Sequence, residues 1–172
     1  RVLAGDLGWV RRPTDQCPAS VQTPENGKFI LATDYRRCGL MESPVFKIEG
    51  NEATFLLGGA GSPHAYITLH AEDEQELLRT NVQVESRANG DEWQLQTTRW
   101  DLTPYVGQYV FMRITANPIG YAMSKRGAGG KFQESSVILD NFNVTGFVDQ
   151  EATKKRLEQQ AREKQQSMAA IR

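Results

Sequence analysis

Between Ser43 and Thr145 apolar residues recur at every second position in short runs, and turn-forming residues separate the runs. The stretch Ala65-Tyr66-Ile67-Thr68-Leu69-His70-Ala71 is the clearest case. Ile67 and Leu69 face one way while Tyr66, Thr68 and His70 face the other, the period of a half-buried strand. The acidic tip Glu72-Asp73-Glu74 returns the chain into Glu76-Leu77-Leu78-Arg79, which predicts a hairpin. The same reading places strands at Val45–Ile48, Ala53–Leu57, Val82–Val84, Trp93–Gln96, Tyr109–Ile114 and Ser136–Asp140, with Gly50-Asn51 and Gly58-Gly59 as punctuation. Strands of this length, about 8–12 residues apart and with no helical period between them, predict an all-β antiparallel sandwich.

Three segments depart from that pattern. Residues 1–42 are rich in Gly and Pro and leave room for one short strand at Phe29–Ala32, so they read as an N-terminal arm. Trp100-Asp101-Leu102-Thr103-Pro104-Tyr105-Val106-Gly107 predicts one helical turn, with Thr103 as cap, Pro104 at its start and Gly107 as a left-handed exit. Trp100 and Leu102 are expected to tuck inward. From Asp149 the composition shifts to Glu, Gln, Lys, Arg and Ala. Asp149 suits an N-cap, and Glu151/Lys155 and Glu158/Arg162 are i,i+4 pairs. The one apolar stripe, Leu157, Ala161, Met168 and Ile171, is too thin to dock firmly, so residues 149–172 read as a solvated polar helix, a linker or a stalk. The domain of interest is then residues 43–148.

Composition narrows the function. In 172 residues, 20 Lys+Arg stand against 21 Asp+Glu, a net charge of -1, which argues against nucleic-acid binding by bulk electrostatics. No apolar run reaches the roughly 18 residues that a bilayer-crossing helix needs. Cys17 and Cys38 fit neither a redox nor a zinc spacing. They read as a disulfide tying the arm to the core, which points to an extracytoplasmic compartment (secreted, periplasmic or cell surface), or alternatively as two buried free thiols.

Catalytic constellations are missing from the text of the sequence. There is no G-x-S-x-G elbow, and Gly61-Ser62-Pro63-His64 sets proline where such an elbow would need a free backbone. The acids gather in turns and in the tail, where carboxylates are simply hydrated, and His64 and His70 stand about 20 Å apart on an extended strand, too far to share a metal. Neither Gly58-Gly59-Ala60-Gly61 nor Gly127-Ala128-Gly129-Gly130 leads into a helix, as a phosphate cradle requires. The reading is a non-enzyme whose chemistry is recognition. Sugar-binding surfaces combine an aromatic face with planar polar groups, and the candidates are Tyr121 with Lys125 and Arg126 in a long glycine-rich stretch, and His64 with Tyr66 beside the turn after Gly58.

The central stretch also resembles a known family. Ser43-Pro44-Val45-Phe46-Lys47-Ile48-Glu49-Gly50, Thr54-Phe55-Leu56-Leu57-Gly58-Gly59, Trp100 through Gln108, Met112-Arg113-Ile114 and Ile138-Leu139-Asp140-Asn141-Phe142 are similar to a galactose-binding-like (discoidin-type) jelly-roll module. Such modules accompany family 32 glycoside hydrolases and other extracytoplasmic bacterial proteins. The resemblance implies an antiparallel jelly-roll β-sandwich, here with a C-terminal polar helix, whose end loops bind glycans. It implies a structural calcium, for which Asp140 is the candidate, and it brings His64 into the binding loop. In place of the family's aromatic loop before the last strand stand Gly120-Tyr121 and a basic glycine-rich insertion. The functional expectation is a carbohydrate-binding, lectin-like module. The alternative is an assembly module that binds a protein partner in a larger extracytoplasmic complex.

Overall fold

A computed structural model describes residues 2–4, 10–11, 31–32, 39–60, 65–82, 95–116 and 136–171. Its strands are β1 (Val2–Ala4), β2 (Val10–Arg11), β3 (Leu31–Ala32), β4 (Gly39–Glu42), β5 (Phe46–Ala60), β6 (Ala65–Ala71), β7 (Glu76–Asn81), β8 (Gln96–Asp101), β9 (Tyr109–Ala116) and β10 (Ser136–Val148). A 3-10 turn at Thr103–Tyr105 and a helix α1 (Gln150–Ala170) complete it. All pairings are antiparallel, and the sheet curls on itself into an all-β sandwich with a C-terminal helix.

β5 joins the two layers. Phe46 and Lys47 pair with β9, whereas Glu52–Leu57 pair with β8, and β10 lines the opposite edge of β5 from end to end. One layer is therefore β7-β6-β9-β4-β2, and the other is β8-β5-β10 with β1 and β3 along the far edge of β10. To keep apolar side chains inward on both sides of the fold, β5 must change phase. Phe46 and Ile48 are buried at even positions, and Ala53, Phe55 and Leu57 at odd ones. The register against β10 slips between these groups, with Ile48 opposite Gly146 and Ala53 opposite Val144. Gly50-Asn51 thus does not end a strand; it is the irregularity inside one continuous strand that resets the phase. A side chain at Gly50 would bring its Cβ to 2.8 Å from the Cβ of Thr145.

β10 makes the matching change, from buried Val137 and Leu139 to buried Phe142 and Val144. One extra residue sits between Asp140 and Asn143, and Asn141 adopts the left-handed φ of 50° that asparagine tolerates. Rings from β5, β8 and β10 pack together in the core. Phe55 packs edge-on against Trp100 at 5.0 Å and lies tilted against Phe142 at 6.0 Å, and Phe142 meets Phe46 edge-on at 6.5 Å.

Three local expectations need correction. Trp93 and Gln94 of the strand expected at Trp93–Gln96 lie outside the described residues. β8 runs over Gln96–Asp101 and takes in Trp100, which the sequence groups with the helical turn, with its ring in the core and its indole N–H donating to the Thr80 hydroxyl at 2.8 Å. Leu102 is buried as expected. The helical turn is held by Asp101 and not by Thr103, because the Asp101 carboxylate accepts from both the backbone N–H and the hydroxyl of Thr103. Gly107 does take the left-handed exit, at φ 86°. The polar helix is the third case. Asp149 caps it, accepting from the Ala152 N–H at 2.8 Å, and Glu151 pairs with Lys155, while no ion pair forms between Glu158 and Arg162. Leu157, Met168 and Ile171 are 42%, 55% and 86% exposed, so the apolar stripe docks nowhere among the described residues. The first half of α1 is nonetheless held on the sandwich through a different face, made of Thr153, Arg156 and Gln160.

Candidate functional site

The predicted recognition residues His64, Tyr121, Lys125 and Arg126 lie outside the described residues, as do Cys17 and Cys38. The strands that flank them meet at one end of the sandwich. Ala60 ends β5 opposite Ser136, and Ala65 and Gly39 both stand opposite Ala116. Val82 donates its N–H to the Ala65 carbonyl at the same end. The stretches 61–64, 83–94 and 117–135 therefore leave from, or return to, a single end of the fold.

Tyr66 stands one residue inside that end, on the outward face of β6 as its phase predicts, and is half-buried. The Arg79 guanidinium lies 4.0 Å over its ring and donates through Nε and a terminal nitrogen to Glu76 Oε1, at 3.0 and 2.6 Å. The hydrogen bond from Glu76 holds the Arg79 pKa above its ordinary value, against a smaller opposing effect of burial. The Arg79 side chain stays 42% exposed, so the stack presents a planar donor group to solvent. Asp140 offers less. Its carboxylate accepts the Asn141 N–H at 2.8 Å in the β10 bulge, and no group of three His, Cys, Asp or Glu gathers anywhere among the described residues. A calcium site draws on six or more oxygens, backbone carbonyls among them, of which Asp140 would supply one carboxylate.

The most elaborate polar arrangement lies elsewhere, on the outer face of β4, β9 and β6 beneath α1. Register sets it up: Thr68 and Glu42 flank Arg113 from either side, and His70 stands opposite Phe111. Ser43 lets β4 run on beside β9 despite Pro44, exchanging its N–H for the Met112 carbonyl at 2.9 Å and accepting the Met112 N–H on its hydroxyl at 2.8 Å. Glu42 accepts from Arg113 at 2.7 and 2.9 Å, from Gln160 at 2.9 Å and from Arg156 at 3.3 Å. Its side chain is only 7% exposed. Burial alone would raise its pKa, but the Gln160 hydrogen bond and the charges of Arg156 and Arg113 outweigh it and hold the pKa at about 2.

Phe111 is fully buried although it points away from the core. His70 stacks on one side of it at 5.2 Å, and the Arg156 guanidinium lies 3.5 Å from its centroid. The Glu74 carbonyl can only accept, so His70 Nδ1 carries a hydrogen towards it at 3.2 Å, while Nε2 lies 2.8 Å from the Thr68 hydroxyl, which itself donates to the Arg113 carbonyl at 3.3 Å. Burial, opposed by the Glu74 hydrogen bond, leaves the His70 pKa below 6.5. Beside this cluster a cleft of about 460 Å³ opens between α1 and the β6–β7 turn. Glu72, Glu74, Glu151 and Glu163 line it with the capping Asp149, against the cations Lys155 and Arg156.

Sequence reasoning did not single out Glu42, Phe111, Arg113 or Arg156. The signal was present in Tyr109–Ile114, where Val110, Met112 and Ile114 claim the inward face and leave a phenylalanine and an arginine outward.

Solved structures resemble this chain to differing degrees. A cleaved adhesin domain of Lys-gingipain from Porphyromonas gingivalis superposes with a TM-score of 0.51 at 10% identity, over 86% of this chain and 99% of that one. A mutant family 29 carbohydrate-binding module gives 0.44 at 11% identity, over 87% and 99%. The enzymatically active domain of tailspike protein 4 from bacteriophage CBA120 gives 0.40 at 9%, over 83% of this chain and 20% of that one. The adhesin-domain likeness is one of fold. No family model and no curated protein matches the sequence.

Proposed function

We propose that this chain is a non-catalytic carbohydrate-binding module of an extracytoplasmic or cell-surface protein, meeting its glycan at the end of the sandwich where Ala60, Ala65, Ala116 and Ser136 stand. The observation that carries this reading is the gathering of strand ends there, with the Tyr66–Arg79 stack at its margin. The aromatic body suits the apolar side of a pyranose, and the exposed guanidinium suits its hydroxyls. His64, Tyr121, Lys125 and Arg126 would act from the adjoining stretches. A disulfide between Cys17 and Cys38 would suit an oxidising compartment.

The test is a broad glycan array followed by calorimetry on the full chain. Tyr66→Ala, His64→Ala and Tyr121→Ala should each weaken binding by about tenfold without lowering the melting temperature. A blank array and blank calorimetry overturn the reading. One observation favours the assembly alternative: residues 161–170 of α1 are exposed throughout and carry Met168 outward. Removing residues 161–172 would then change the sedimentation coefficient or the retained partners.

A further inference from the structure

The seat of Arg156 has the makings of a ligand site. Its guanidinium lies on an aromatic face, 3.5 Å from the Phe111 centroid, and reaches Glu42 at 3.3 Å and Glu74 at 2.9 Å. A planar cation between a ring and two carboxylates is the arrangement that recognises arginine and discriminates against lysine, whose ammonium cannot lie flat or fork. Everything except the cation belongs to the sandwich: Phe111 from β9, Glu42 from β4 and Glu74 from the β6–β7 turn. His70 supports the back of the ring and Arg113 fixes the carboxylate of Glu42.

The helix that fills this seat is held by polar contacts and by the stacking of Arg156 on Phe111. No residue of α1 is buried, and its apolar side chains point to solvent. The fit of Arg156 is also incomplete, because its Nε is buried and has no hydrogen-bond partner. The acidic cleft leads to the seat from outside, with Glu72, Glu74, Glu151 and Glu163 around it.

We infer that the outer face of β4, β9 and β6 is a second recognition surface, an arginine socket for a basic peptide segment of a partner protein, and that α1 occupies it in cis with Arg156 as an internal pseudo-ligand. A partner then binds by displacing the first half of α1, and its apparent affinity is reduced by the fraction of time the socket is filled. The inference is independent of glycan binding at the far end of the sandwich.

The experiment uses the full chain and two synthetic peptides identical except that one carries arginines where the other carries lysines. Binding is read by calorimetry, and hydrogen exchange is followed over residues 150–170. Arg156→Ala should bind the arginine peptide at least about tenfold more tightly than the unmodified protein. The lysine peptide should gain no such advantage, and Glu42→Gln/Arg156→Ala should lose the gain. In the unmodified protein, saturating arginine peptide should speed exchange in α1 while leaving β9 protected, a readout that needs no variant to fold. Equal binding of the two peptides would mean a general acidic surface and overturn the socket. No binding to Arg156→Ala, or unchanged exchange in α1 at saturation, would overturn it as well. Tyr66→Ala should leave peptide binding unaltered, which separates this outcome from the fate of the glycan reading.

Discussion

Glu42 ties three elements together, and its replacement by glutamine is the sharpest test of that role. Its ionised carboxylate serves Arg113 from β9 and Arg156 and Gln160 from α1, at 7% side-chain exposure. A carboxyl whose pKa falls from 4.5 to about 2 on folding favours the folded state by about 3 kcal/mol while it is ionised, at about 1.36 kcal/mol for each tenfold change in proton affinity. Glutamine is a permanent analogue of the protonated acid, so Glu42→Gln should cost about the same amount at neutral pH. That agrees with the roughly 3–5 kcal/mol typical of removing one partner from a buried ion pair.

The pH dependence makes the test specific. The unfolded chain holds its proton more tightly than the folded one, so the contribution is complete above pH 4.5 and drains away as pH falls towards 2. Urea unfolding of both proteins across that window should show a gap that is largest near neutrality and closes in acid. Because the two proteins differ at one group, subtraction cancels the other carboxylates. A gap below about 1 kcal/mol at neutral pH, or one that stays constant into acid, would refute the buried ionic role.

Ser43→Ala removes the acceptor for the Met112 N–H and should cost about 1–3 kcal/mol by leaving a buried donor unpaired; urea unfolding gives the size, and faster exchange of the Met112 amide gives the place. Gly146→Ala would drive a Cβ into the carbonyl oxygen of Lys47, so a loss of about 1–3 kcal/mol from overpacking is expected, and an unchanged melting temperature would contradict the close approach of β10 to β5. The His70 ring should titrate below 6.5 when followed by NMR. Because the unfolded state binds that proton more readily, stability from this group is present above pH 6.5 and falls as the pH drops through the folded pKa. A midpoint above 6.5 would show that the ring is not buried as described.

Periodicity made the strands legible because one face of each is buried and the other wet. Ile67 and Leu69 do enter the core while Tyr66, Thr68 and His70 take the other face, but Thr68 and His70 are buried there too, because α1 covers that part of the sheet. Phase changes were harder to see. The even-to-odd switch between Ile48 and Ala53 looks like a break between two strands when read locally, and only the pairing of β10 along both halves shows one strand turning from one layer to the other. Asp101 displaced Thr103 as the holder of the 3-10 turn because its carboxylate reaches both donors of Thr103 at once.

What the sequence determined by itself was the kind of sheet, the N-cap of α1 and the polarity of its exposed end, since these rest on contacts within a few residues or on a period of two. What the tertiary structure alone decided was the docking of α1 and the arginine seat beneath it. Arg156 lies 114 residues from Glu42 and 45 from Phe111, separations over which no local pattern carries information. A polar helix face becomes an interface only when folding places a buried carboxylate and an outward-facing ring where its arginine can reach them, and that is set by strand register.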